Sequence, residues 1–146
     1  MRGGGRPLTP GFRRVQLTSR EPLRFHSLPK YLVFTSAEEL GEAYGVSASS
    51  AEAGVDWDRE FLVVAQREEC PTGGYSITIE GLNRPAPDEL RVTVSRSDPG
   101  PADFVTMVIT YPRDVVAVSR RGLEGVRKVT FVDPGGRVLR TVEVDL

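Results

Sequence analysis

A chain of 146 residues that is 39 % hydrophobic and 27 % charged has the size of one domain and buries roughly 68–70 % of its unfolded surface, so it needs no disulfide scaffold and is not globally disordered. Its net charge of −1 disfavours a polyanion-binding role for the whole surface, and nucleic acid is not an expected partner. One histidine, His26, and one cysteine, Cys70, leave no side chains for a His-rich metal centre, a catalytic triad with a spare imidazole, or an intramolecular disulfide.

The charge is unevenly placed: residues 1–30 hold seven basic side chains against Glu21, and residues 31–146 hold twelve against nineteen acids. With Gly3-Gly4-Gly5, Pro7 and Pro10 among the first twenty residues, this composition predicts a flexible basic arm over 1–20, too poor in large apolar side chains to dock on its own. A single domain is expected over 21–146. No signal-peptide core is visible in the arm, and no window approaches the ~20 apolar residues of a membrane helix, since Phe61–Ala65 is stopped by Gln66 and Arg67. Nothing in the sequence as given directs export, membrane insertion is not expected, and cysteine usage leaves the compartment open.

Ser36 followed by Glu39 has the spacing of a capping box, and Leu40 and Tyr44 share a face before Gly45, which predicts a helix at about 37–44. The Ser- and Ala-rich stretch 46–54 suits either an extension of that helix or a loop. From Phe61 onward the pattern is β. Phe61–Ala65, apolar at every position, predicts a central strand buried on both faces. Tyr75, Ile77 and Ile79 alternate with Ser76, Thr78 and Glu80, and Val105, Met107, Ile109 and Tyr111 alternate with Phe104, Thr106, Val108 and Thr110, so two half-buried strands are expected there. Leu90–Val94 and Val115–Val118 add short strands, and Asp133-Pro134-Gly135-Gly136 between two β runs predicts a hairpin. Many short strands with one N-terminal helix point to a mainly β fold, an antiparallel sandwich or partly open barrel.

The most distinctive segment is Pro71-Thr72-Gly73-Gly74-Tyr75-Ser76-Ile77. Its Pro and paired Gly make a tight turn feeding an amphipathic strand, either as a plain sheet-edge loop or as a presented binding loop with Tyr75 as anchor. Together with Val55–Val64, Val108-Ile109-Thr110-Tyr111-Pro112 and Val115–Val118, in that order, this segment resembles the C-terminal domain of the protease complex subunit PrcB over about residues 55–119. The resemblance implies a non-catalytic accessory domain that assembles or stabilises a cell-envelope protease complex, and so a protein partner, with a homo-oligomer also open. A second similarity is to chagasin-type inhibitors of cysteine proteases, immunoglobulin-like sandwiches in which Thr72-Gly73-Gly74-Tyr75 and Tyr111-Pro112-Arg113 would play the part of inhibitory loops. On either reading the candidate contacts are Thr72, Gly73, Gly74, Tyr75, Tyr111, Pro112 and Arg113.

Other constellations are weaker. A Cys70–His26 nucleophile pair needs two residues distant in sequence to meet, and an inert thiol is the ordinary meaning. Asp56, Asp58 and Glu60 could ligate a hard cation on a loop but read as the solvated start of the Phe61 strand. Gly3-Gly4-Gly5 precedes no strand-to-helix unit and Gly135-Gly136 sits in a hairpin, so no phosphate-cradling loop is present. The expectation is a protein that is not an enzyme, without catalytic residues, cofactor or metal.

Overall fold

In the computed structural model, which describes residues 10–17, 28–44 and 54–146, the period-two segments fold as two four-stranded sheets. Strands β1 (Phe12–Arg14), β2 (Lys30–Phe34), β3 (Glu60–Gln66) and β6 (Arg113–Ser119) form the first, in the order β1-β6-β3-β2. Strands β4 (Ser76–Ala86), β5 (Glu89–Ser97), β7 (Lys128–Val132) and β8 (Val138–Glu143) form the second, in the order β4-β5-β7-β8. Pairing is antiparallel except between β5 and β7, which run parallel because the chain crosses to the first sheet for β6 before returning.

The alternating side chains explain the layers. Phe61, Val63 and Ala65 of β3, with Val116 and Val118 of β6, face Ile79, Leu90, Val92, Val94 and Phe131 of the second sheet across the main core. The opposite face of β3 and β6, Leu62, Val64, Val115 and Ala117, is covered by Leu40, Phe34 and Leu17. A strand apolar at every position is therefore buried on both sides, as the Phe61–Ala65 run requires. Helix α1 (Ala37–Tyr44) supplies Leu40 to that second core. Ser36 Oγ accepts from the Glu39 amide at 3.2 Å, while the Glu39 carboxylate reaches one residue further back than a capping box expects, to the Thr35 amide at 3.0 Å. In β4 a bulge between Ile79 and Gly81 shifts the register by one, so that Leu82 joins Ile77 and Ile79 on the buried face.

The two sheets are tied along one side by a charge pair. Asp114 Oδ2 accepts from the Ile79 amide at 2.8 Å and from Arg14 Nε at 3.2 Å, and Arg14 Nη2 donates to the Ile79 carbonyl at 2.7 Å. Side chains thus satisfy backbone groups on the edge of β4 that lack a neighbouring strand.

Two expectations need correction. The arm expected over 1–20 is not loose across 12–17: Phe12–Arg14 pairs with Val116–Val118 as β1, Val15 N donates to the Val115 carbonyl at 3.0 Å, and Leu17 is buried. Backbone pairing along β6 anchors it, together with Phe12 on the main core and Val15 and Leu17 on the second, so three apolar side chains suffice where the backbone is also paired. The strand expected over 104–111 does not form; only Thr110 pairs, in an isolated bridge with Cys70. Its partner would be the continuation of β3, and that continuation is broken by Pro71 and the glycine turn, leaving no regular edge to join. The Asp133–Gly136 hairpin forms as expected, with Gly136 at φ +89°. Residues 46–53, whose conformation was open, and His26 lie outside the described residues.

Candidate functional site

The β3–β6 ladder ends at Gln66 opposite Arg113, but the two segments leaving it stay together. Arg67 N donates to the Pro112 carbonyl, Cys70 and Thr110 exchange both backbone hydrogen bonds, and Gly73 N donates to the Thr106 carbonyl, all at 2.9 Å. Thr110 Oγ1 adds a bond to the Thr72 carbonyl at 2.8 Å. Residues 67–73 and 106–112 are thereby an irregular extension of the sheet, interrupted where Pro71 and Pro112 have no N–H to give.

The glycine pair lets this extension pack closely. Gly74 holds φ +89°, and a Cβ there would stand 2.8 Å from Val105 Cγ1 and 2.9 Å from Pro99 Cβ; a Cβ on Gly73 would collide with Thr106 Oγ1. A side chain at Gly74 presses on the Pro99 ring and Val105, whereas one at Gly73 has to displace the Thr106 hydroxyl.

Beneath the turn lies Arg67, which the sequence reading left without a role. It is 4 % exposed, and its guanidinium donates to the Ser97 carbonyl at 3.0 Å, to the Ser76 carbonyl at 3.3 Å and to Asp98 at 2.6 Å, with Glu68 at 3.4 Å. The Tyr75 ring lies 5.0 Å from its charge centre. One buried cation thus gathers the start of β4, the end of β5 and the aromatic ring, and a buried arginine is tolerated here because its donors are matched. Signals for it were present only as an Arg directly after an apolar strand.

Above this base the loop exposes apolar side chains in succession. Phe104 is fully exposed, and Met107, Val108 and Ile109 are exposed by 84 %, 62 % and 54 %. Val105 alone of the run turns inward, against Gly74. Monomers rarely leave so many neighbouring large apolar groups in water, and such patches mark interaction surfaces. Two features of the sequence bore on it: Pro99, Pro101 and Pro112 flank the run, and Phe104 and Val108 place apolar groups on the face that a half-buried strand keeps polar.

The structure brings Thr72, Gly73, Gly74, Tyr75, Tyr111 and Pro112 together as the floor and flank of this loop. Tyr75 is half-buried, although its register with Ile77 and Ile79 suits a core position. Tyr111 donates its hydroxyl to Glu69, and that bond holds its phenol above the ordinary range. Arg113 is engaged elsewhere, donating to the Leu17 carbonyl at 2.9 Å.

Chemistry at the site is limited by Cys70. Its side chain is buried, its Sγ–H faces the Glu68 carbonyl at 3.3 Å, and burial pushes the thiol up from its ordinary value, which keeps it protonated at neutral pH. Asp56 and Glu60 serve local structure: the Glu60 carboxylate accepts from Arg13 and from the Asp56 amide. Among the described residues no group of three His, Cys, Asp or Glu is arranged to hold a metal ion, and no helix is long and apolar enough to cross a membrane.

A family model described as PrcB C-terminal matches residues 61–119, the stretch from β3 to the end of β6 that carries the loop and both segments of its base. No curated protein and no solved structure matches the chain.

Proposed function

We propose, from the match of residues 61–119 to the PrcB C-terminal family model, that this chain is a non-catalytic interaction domain that binds a protein through the 104–109 loop. The observation that carries the reading is the run of exposed Phe104, Met107, Val108 and Ile109 on a base fixed by Arg67 and the glycine turn. An apolar loop held by a rigid scaffold loses little entropy on docking, and aromatic anchors supply most of the energy at such contacts. The buried, protonated thiol of Cys70 supports the absence of a nucleophile. Assembly with a protease, as an accessory subunit, is the role implied by the sequence resemblance to the protease complex subunit.

Photo-crosslinking from a benzophenone side chain at position 107, in the native source, tests this. One discrete protein adduct is expected. It should disappear in a Phe104→Ser chain whose melting temperature is unchanged, because Phe104 makes no core contact. An adduct that persists in that variant, or none at all, overturns the assignment. If the adduct is a protease, its activity with and without the domain separates stabilisation from the inhibition expected of a chagasin-like protein.

A further inference from the structure

Resting on the reading that the 104–109 loop is an interface, we infer that it docks on a protein surface whose apolar groove is rimmed by lysine or arginine. The extension and the segments that continue it into the turn and loop, residues 67–75 and 97–112, carry Glu68, Glu69, Asp98 and Asp103 against the single base Arg67. Arg67 and Arg96 at the base neutralise two of these, with Arg67 on Asp98 at 2.6 Å and Arg96 on Glu68 at 3.2 Å. Glu69 and Asp103 have no ion pair among the described residues; each is held by a neutral donor, the Tyr111 hydroxyl and the Gly100 amide. Two uncompensated carboxylates therefore sit on either side of the apolar run, Asp103 next to Phe104 itself.

This arrangement selects among occupants. In a two-fold dimer the same patch meets itself, which sets Glu69 and Asp103 of one copy near those of the other around a desolvated apolar centre, and like charges there are costly. Loops that enter a lipid surface bring Lys or Arg to anionic headgroups, and this one brings carboxylates. A protein groove with a basic rim satisfies both the apolar run and the charges, and such rims set orientation and partner choice.

Two amphipathic helical peptides sharing one leucine face, the first rimmed with lysine and the second with glutamate, probe this by fluorescence anisotropy. The intact chain should bind the lysine-rimmed peptide at least about threefold more tightly, as expected for two exposed charge pairs. Glu69→Gln with Asp103→Asn keeps both hydrogen-bond acceptors and should bring the two affinities together, as should raising the salt from about 0.05 to about 0.5 M. Phe104→Ser with Met107→Ser should abolish binding to both. Equal affinities for the intact chain overturn the basic rim and leave the loop interface standing. Failure to bind the lysine-rimmed peptide, or binding indifferent to Phe104 and Met107, overturns the interface itself. Dimerisation through the loop in sedimentation, or loop-dependent uptake on phosphatidylglycerol vesicles, also overturns the proposal.

Discussion

Gly74 and Gly136 share the same backbone angle, φ +89°, in different surroundings, and this pair measures how firmly the apolar loop is seated. A Cβ at Gly136 meets nothing within 4 Å, whereas at Gly74 it would press on Val105 Cγ1 at 2.8 Å and Pro99 Cβ at 2.9 Å. Gly136→Ala should therefore cost only the left-handed strain, about 1 kcal/mol. Gly74→Ala carries the same strain plus overpacking of ~1–3 kcal/mol, about 2–4 kcal/mol altogether. Urea unfolding of the two variants reads the difference directly, provided the m-value is unchanged. Adding Val105→Ala to Gly74→Ala removes one of the two close contacts and should recover part of the excess, a coupling of about 1 kcal/mol that neither single variant shows. Equal costs at the two glycines would refute the packing argument. The 99–106 segment would then lift away freely, and the Gly73 amide, bonded to the Thr106 carbonyl, would exchange faster in the Gly74 variant.

Asp114→Ala leaves the Ile79 amide without its acceptor and should cost about 2–3 kcal/mol in chemical unfolding; a loss under ~0.5 kcal/mol would mean that the side-chain bridge between the sheets is dispensable. Deleting residues 1–17 removes β1 and the buried Leu17, an expected loss of about 3 kcal/mol and ~6–12 °C in melting temperature, against no change if the segment were a solvated tail. The hydrogen bond from Arg13 holds the Glu60 carboxyl below its ordinary range. Its contribution is thus complete above the unfolded-state value of about 4.3 and is lost as pH falls through the lower folded value. The stability difference between the parent and Glu60→Gln should accordingly shrink on acidification below pH ~4, and a difference that grows would refute the linkage. Native Cys70 should resist iodoacetamide and react only on unfolding, since it is buried as a thiol; rapid alkylation of the folded chain would show the base of the loop to be open.

Helix α1, the doubly buried β3 and the terminal hairpin were legible in the sequence because each is decided locally. Ser36 and Glu39 satisfy helix-end donors within one turn, five consecutive apolar residues leave β3 no polar face, and Asp133-Pro134-Gly135-Gly136 turns the chain with its own φ preferences. The Thr72–Tyr75 turn was visible as an unusual segment for the same reason. What it supports was not: Val105–Tyr111 has a strand's alternation, and alternation describes a face without saying whether a neighbouring strand exists to receive it. Only the folded chain shows that β3 runs out at Gln66 and that Arg67 closes the base, so that Phe104, Met107, Val108 and Ile109 are left in water. The docking of Phe12–Arg14 and Leu17 was equally hidden, because the backbone of β6 that pairs with them and the core that receives Phe12 and Leu17 are built by residues far along the chain, and no local pattern records a partner at that distance.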